Sequence, residues 1–184
     1  LTQPWTTNRN TMSRRPSMPD FTGVNLPPNA TSFAKIGWKT YPKQVFSTFA
    51  SCFDTTIMFE ASGSTIFSNS DIHSVELTEV VKDIDSRDSV IQRGITLQGS
   101  HFDIFQFHNT PSLLLWGRNR MKEGSKGVPD TGIALCRVSS PEATSVEDLY
   151  ILITYKLPIV SAFAVNRLQA FKLMLEGSVV VDNF

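Results

Sequence analysis

Histidines, cysteines and carboxylates are the residues of this chain with the chemistry for catalysis or metal binding, and their spacing does not build such a site. The three histidines, His73, His101 and His108, are well separated. His101 and His108 fall at the two ends of one predicted strand, which rises about 3.3 Å per residue, so they are too far apart to share a metal ion. We expect structural roles for all three and no bound metal.

The other polar clusters lack the context of known catalytic motifs. Residues 124–127, Gly-Ser-Lys-Gly, resemble a phosphate-binding loop in composition, but no strand–loop–helix frame surrounds them. Asp83, Asp85 and Asp88 lie in one segment with Arg87 among them, which favours a solvated turn over an acid–base pair. Nucleophile-elbow and dinucleotide-binding strings are absent from the sequence. We therefore predict a protein without catalytic activity and without a cofactor.

Composition narrows the class of partner. The 184 residues carry 17 Lys+Arg and 17 Asp+Glu, so no long-range field attracts nucleic acid or an anionic membrane. No apolar run approaches the roughly 20 residues that span a bilayer. Cys52 and Cys136 sit in apolar contexts without metal-ligand spacing. Buried free thiols are the favoured interpretation over a disulfide, and they indicate a reducing compartment such as the cytoplasm.

The clearest structural elements lie near the carboxyl end. Residues 149–155 are almost all β-branched, aromatic or leucine, which predicts a strand buried on both faces. A break at residues 156–158 ends it, because proline cannot donate to a strand ladder. A helix follows, with Ser161 as its predicted N-cap and Gly177 as its stop signal. Its predicted apolar stripe, at spacings of three and four residues, is Phe163, Ala164, Leu168, Phe171 and Leu175.

The chain divides into an extension, one domain and a short tail. Residues 1–36 hold five of the ten prolines and show no sustained period of 2 or 3.6, so we expect them to lack a core of their own. The domain is predicted at 37–177 and the tail at 178–184. The domain's elements run helix, two strands, helix, five strands, helix, with residues 83–93 as a charged loop. This order predicts an α+β fold: a central antiparallel sheet of about six to seven strands, with the N- and C-terminal helices packed on one face.

Five short strings within residues 37–177 occur in an order that is typical of one protein family. They are Trp38-Lys39-Thr40-Tyr41, Ser62-Gly63-Ser64 followed by Ile66-Phe67, the run from Gly94 to Gly99, the run from Leu114 to Arg118, and Tyr155-Lys156-Leu157-Pro158. Together they resemble the profilins, small proteins that bind actin monomers and proline-rich peptides. The resemblance implies the profilin fold and protein partners.

The resemblance also implies a proline-rich peptide site between the two terminal helices. Trp38 and Tyr41 match the proline-binding aromatics of the family's first helix, and Phe67 falls where the family's hairpin has a tryptophan. On the last helix, Phe171 and Met174 replace the aromatic partner. Aromatic rings are flat apolar platforms for a preformed polyproline II helix. The alternative is that Trp38 and Phe67 only pack the two helices together.

A second implied surface faces actin, and in the family it is built from the later strands and the start of the last helix. Arg118 lies on a basic position of that surface. Arg120, Lys122 and Lys126 continue a positive loop, for which plain solvation is the alternative interpretation. Val160 and Phe163 make the start of the last helix apolar, where the family has small and polar residues.

Two functions follow as expectations, and neither has nucleic acid or membrane as a partner. The first is a cytoplasmic, non-enzymatic cytoskeletal protein that binds actin monomers, proline-rich segments, or both. The second is a profilin-fold structural subunit that residues 1–36 anchor in a larger assembly such as a ciliary axoneme. Deletion of residues 1–36 distinguishes them, because only the second function requires the extension for incorporation into the assembly.

Overall fold

Seven strands and four helices make up the part of the chain that the structure, a computed structural model, describes: residues 43–120, 130–139 and 148–176. The helices are α1 (Lys43–Ala50), α2 (Ser74–Val81), α3 (Arg87–Arg93) and α4 (Ser161–Leu175). The strands are β1 (Thr55–Glu60), β2 (Thr65–Ser68), β3 (Ile95–Leu97), β4 (Ser100–His108), β5 (Leu114–Asn119), β6 (Thr131–Val138) and β7 (Leu149–Lys156). The predicted extension and tail lie outside the described residues.

All seven strands form one antiparallel sheet in the order β2-β1-β7-β6-β5-β4-β3. β7 pairs along its length with β1 on one side and β6 on the other. Every residue of β7 except Lys156 is buried, because helices cover both faces of the sheet at this position. The α+β class and the doubly buried strand at residues 149–155 are therefore confirmed.

The two terminal helices pack on the same face of the sheet, as predicted. Their apolar side chains form one core cluster with the sheet, and its members include Phe46 and Phe49 of α1, Leu168 and Phe171 of α4, and Met58, Ile151 and Ile153 of the strands. The opposite face is covered by α2 and α3, whose Leu77, Val80 and Val90 pack on Ile57, Phe59 and Leu152. The sheet is thus the middle layer of three, and its two faces have separate cores.

The prediction of a charged loop at residues 83–93 is wrong, because this segment contains α3. The Ser86 hydroxyl caps the helix by accepting a hydrogen bond from the Ser89 N–H at 3.4 Å. Gly94, with φ 67°, ends it. Val90, buried completely, fixes the helix to the core. One buried residue within seven gives no helical period, so only the capping residues signalled this helix in the sequence.

The start of α4 also differs from the prediction. Val160 rather than Ser161 is the N-cap residue, and its side chain makes no capping hydrogen bond. Phe163 is only half-buried, and the Arg167 guanidinium lies 5.5 Å from the centre of its ring. Phe163 is therefore not part of the buried stripe, although the rest of the predicted stripe is buried.

A wider band of α4 is buried than the stripe predicts. Val165, Arg167 and Lys172 are buried as well. Lys172 Nζ donates to Glu176 Oε2 at 2.6 Å, and Glu176 Oε1 accepts from the Ser139 N–H at 3.1 Å. The ion pair at the end of the helix is thus connected to the end of β6, which explains how a lysine is tolerated beside the core.

The two cysteines are free, with Cys136 buried and Cys52 half-buried. Burial raises the pKa of the Cys136 thiol far above its usual value, so this thiol stays protonated and unreactive at neutral pH.

Among the described residues, no helix is long and apolar enough to cross a membrane. The same ranges contain no group of three metal-binding side chains.

Candidate functional site

On the sheet face that carries α1 and α4, the described helices pack mainly on one half, around β6 and β7. Of the described helices, α4 packs on β6 and β7, while α2 and α3 lie against the other face of β3 and β4. On the α4-side face of β4 and β5, Leu114 and Trp116 of β5 still pack against the core that α4 helps to form, whereas the side chains of β4 and of the outer end of β5 lie beyond the main contacts of the described helices. The side chains on this face, called the open face below, are His101, Asp103, Phe105, Gln106, His108, Trp116, Arg118 and Arg120.

A β-bulge in β4 shapes the open face. Pairing shifts from Ile104 opposite Gly117 to Gln106 opposite Trp116, which leaves Phe105 without a partner. Ile104 and Phe107, which flank the bulge, both pack in the opposite core. The bulge therefore places Phe105 and Gln106 side by side on the open face. Phe105 is 50% exposed. A large apolar ring is thus presented in the middle of the face.

An ion pair ties the strands at the outer part of the open face. Arg120 Nε donates to both carboxylate oxygens of Asp103, at 3.0 and 3.1 Å. The Arg120 N–H also donates to the His101 carbonyl at 2.7 Å, and His101 Nδ1 lies 3.1 Å from Thr96 Oγ1 of β3. The Arg120 side chain holds the pKa of Asp103 below its usual value. Because both partners are about half exposed, water screens the pair and its effect on stability is small.

The Asp103–Arg120 ion pair predicts that the protein loses stability as the Asp103 carboxylate becomes protonated at acid pH. The pKa of Asp103 is lower in the folded protein than in the unfolded chain. The ionised carboxylate therefore stabilises the fold at pH values above its unfolded-state pKa of about 3.9, and this stabilisation is lost as the pH falls through the folded-state pKa. Arg120→Gln should move the Asp103 pKa back up toward its usual value, which carboxyl-carbon NMR titration measures. The control Arg87→Gln, on α3, should leave the Asp103 titration unchanged. An unaltered Asp103 pKa in Arg120→Gln would contradict the pairing.

Four of the residues predicted for the partner face lie in the described ranges. Arg118 is half-buried on the open face. It lies near Tyr155, whose pKa is raised by burial against the opposing effects of the Ser161 hydroxyl and the Arg118 charge. Arg120 is engaged with Asp103. Val160 is 52% exposed, whereas Phe163 is half-buried next to Arg167. Lys122 and Lys126 lie outside the described residues.

The described aromatic rings between α1 and α4 are packed together in the hydrophobic core. The ring of Phe171 stacks on Phe49 with centroids 4.0 Å apart and 8° between planes. Phe46 lies 6.3 Å from Phe171 and 5.7 Å from Phe67. Phe171 is only 5% exposed, so in the described part of the chain it packs α1 against α4, and its predicted role in peptide binding stays a prediction.

Of the other residues predicted to bind a proline-rich peptide, two are half-buried and two lie outside the described residues. Phe67 and Met174 are half-buried against the same core cluster. Trp38 and Tyr41 lie outside the described residues. The described part of the chain therefore brings Phe67 next to α1, and it leaves the predicted peptide site without an exposed aromatic ring on α4.

A groove that the sequence did not predict lies on the other side of α4. It has a volume of about 690 Å³ and runs between α4 and the β4–β5 connection. The rings of His108 and Trp116 stack along it, with centroids 5.3 Å apart and 24° between planes. The walls come from residues 108–116 and 161–173. These segments are distant in sequence and meet only in the tertiary structure, so no local pattern signals the groove.

Comparison with known proteins identifies the fold. No protein-family model and no curated protein sequence matches the chain. Among solved structures, Acanthamoeba castellanii profilin IB matches at 16% identity over 76% of this chain and 97% of that chain, with a TM-score of 0.52. Schizosaccharomyces pombe profilin matches at 14% identity over 78% and 99%, with a TM-score of 0.55. Human profilin II matches at 13% identity over 76% and 98%, with a TM-score of 0.55. The structural likeness at this low identity shows that the chain has the profilin fold.

Proposed function

We propose that this protein is a non-enzymatic cytoskeletal protein of the cytoplasm that binds an actin monomer on its open face. The observation that carries the proposal is the open face, which lies beyond the main contacts of the described helices and carries Phe105, Trp116 and Arg118. Aromatic residues and arginine are enriched at the centres of protein interfaces, where they contribute most of the binding energy. The profilin-like sequence strings support actin as the partner, because they imply an actin-facing surface on these later strands.

The arrangement of the open face also favours a protein over a small ligand. Phe105 projects from a broad sheet surface and is half exposed. The exposed Asp103–Arg120 pair lies toward its outer part. An apolar centre bordered by polar and charged side chains matches the core-and-rim pattern of protein interfaces. Binding would remove the remaining exposed area of Phe105 from water, which is favourable.

Proline-rich peptide binding and the structural-subunit alternative stay predictions. The first depends on Trp38 and Tyr41, because Phe171 is buried. The second, with its ciliary location, depends on residues 1–36. These residues all lie outside the described ranges.

Two substitutions in the full chain test the proposal. Arg118→Glu and Phe105→Ala should each weaken the affinity for monomeric actin by about tenfold or more, measured by fluorescence anisotropy with labelled actin. Phe105→Ala changes no charge and removes an exposed ring, so its folding should be unaffected. The matched control is Val75→Ala, because Val75 is 71% exposed on α2, on the opposite side of the sheet.

The control should bind actin as the unaltered chain does, and thermal unfolding should verify that each variant is folded. Absence of binding by the unaltered chain would overturn the proposal. Equal affinities for Phe105→Ala and Val75→Ala would remove the open face as the binding surface.

A further inference from the structure

We infer that the outer edge of β4, residues 103–108, is a self-association surface, on which a second copy of this chain adds its own β4 as an antiparallel strand. Strand addition to an exposed sheet edge is a recurring mode of recognition, in which backbone hydrogen bonds supply affinity and side chains supply specificity. The inference goes beyond the proposed function and does not depend on actin being the partner of the open face.

The edge is available because β3 is much shorter than β4. β3 pairs only with Ser100–Phe102 of β4, whereas β5 pairs with β4 from Phe102 to His108. Within the described part of the chain, no strand therefore pairs with residues 103–108 on the side away from β5. A row of unpaired backbone N–H and C=O groups at a sheet edge is a template for another strand.

The composition of this edge favours pairing. Natural proteins often protect an exposed edge with lysine or proline, and residues 103–108 contain neither. Ile104, Phe105 and Phe107 are residue types with a high preference for strands. Phe105 is half exposed and Phe107 is half-buried, so a strand added here would remove apolar surface from water.

The bulge in β4 selects one register for a symmetric pair. The side chains of Ile104 and Phe107 lie in the core with α2 and α3. The other four side chains of the segment, on the open face, are Asp103, Phe105, Gln106 and His108. Because residues opposite each other in a sheet share a face, the whole segment pairs only when the two-fold axis passes between Phe105 and Gln106. A shift of one residue in either direction places Ile104 and Phe107 opposite residues of the open face.

A bulge ordinarily hinders pairing at an edge, but the two-fold axis removes this obstacle. The axis places the bulge of one copy opposite the same bulge of the other. Two residues then oppose two, and the strands stay in step on both sides of the axis.

The opposed side chains are complementary in this register. On the face covered by α2 and α3, Ile104 lies opposite Phe107 of the second copy, so the two apolar cores become continuous. On the open face, Asp103 lies opposite His108 of the second copy, and opposite charges across a strand pair are stabilising.

The same register keeps the two Asp103 carboxylates apart. They are five residues from each other along the pair, which is about 17 Å at the rise of a strand. Physiological salt screens exposed charges over about 8 Å, so their mutual repulsion is small.

Disulfide formation between two variants of the full chain tests the register. Asp103→Cys and His108→Cys are prepared as separate chains in a Cys52→Ser background and mixed under mild oxidation, while Cys136 stays buried. Opposed residues in an antiparallel pair have Cα atoms about 4.5–5.5 Å apart, which suits a disulfide. The mixture should therefore form a mixed disulfide, which peptide mass spectrometry identifies.

The control for the crosslinking is His108→Cys alone, because its two thiols would be about 17 Å apart in this register. We expect a yield several-fold higher for the mixture than for this variant by itself. Equal yields would overturn the inference.

Sedimentation velocity of the full chain over a wide range of concentrations tests the association without crosslinking. Six residues on each side make a contact well below the roughly 20–30 residues a side of a standard interface, so we expect a reversible dimer that appears only at high concentration. His108→Asp sets two carboxylates opposite each other and should weaken dimerisation several-fold, whereas His108→Lys should retain it.

His73→Asp is the matched control, because His73 is exposed and precedes α2, away from β4. It should dimerise as the unaltered chain does. A monomer at every concentration would overturn the inference and leave the edge to a strand of another protein, and equal dimerisation of His108→Asp and His108→Lys would refute the pairing of Asp103 with His108. None of these readouts involves actin, so they stand apart from the proposed function.

Discussion

Phe171→Ala is expected to lower the free energy of unfolding by about 3–5 kcal/mol, the usual cost of removing a buried phenylalanine side chain. Phe171 is 5% exposed and stacks on Phe49 at 4.0 Å. Its edge-on contact with Phe46, at 6.3 Å, is lost as well, and aromatic pairs of this kind add about 0.5–1.5 kcal/mol each. Because these rings join α1 to α4, alanine leaves a cavity between the two helices. Urea denaturation followed by circular dichroism measures the loss.

The control for this prediction is Phe163→Ala on the same helix. Phe163 is half-buried and contacts the Arg167 guanidinium, so its removal should cost clearly less than the removal of Phe171. The comparison also distinguishes a packing role of Phe171 from its predicted role in peptide binding. If Phe171 were a peptide platform, its alanine variant would lose peptide affinity at nearly unchanged stability. Equal destabilisation by the two variants would contradict the assignment of Phe171 to the core.

Gly117→Ala is expected to destabilise the protein by about 3 kcal/mol, at the upper end of the usual cost of overpacking. A Cβ at this position would overlap the carbonyl oxygen of Asp103 in β4, and the carbonyl carbon stands 2.9 Å away. The obstacle is backbone, so the ladder between β4 and β5 must open beside the bulge at Phe105. Chemical denaturation measures the loss of stability, and amide hydrogen exchange should show faster exchange along β4.

Gly99→Ala is the matched control for the close approach at Gly117. Gly99 has φ +72°, and a Cβ added there would meet nothing within 4 Å, so alanine costs only the left-handed backbone strain of about 1–2 kcal/mol. Gly117→Ala should therefore be the more damaging substitution, and it should also weaken partner binding because the open face is built on these two strands. A smaller loss at Gly117 than at Gly99 would contradict the close approach of β4 to β5.

The sequence by itself determined the fold class and, apart from α3, the order of the elements. The run at residues 149–155 predicts a buried strand because its composition is set by two covered faces, and that burial was confirmed. The apolar period of the last helix and the hairpin-like steps between strands are local signals in the same way. From them the antiparallel sheet and the shared face of the terminal helices followed, and both were confirmed. The assignment of Arg118 to a candidate binding surface came from the profilin resemblance, and it stays a prediction.

Only the tertiary structure decided which residues are exposed together. Phe105 looks like an ordinary strand residue in the sequence, yet a one-residue bulge places it on the open face. The apolar stripe of α4 predicts that Phe171 is buried, but only the tertiary structure shows that it stacks on Phe49 of α1. The groove beside α4 joins residues 108–116 to 161–173. Local periodicity reports whether a residue is buried against some neighbour, whereas the identity of that neighbour depends on how distant strands and helices meet.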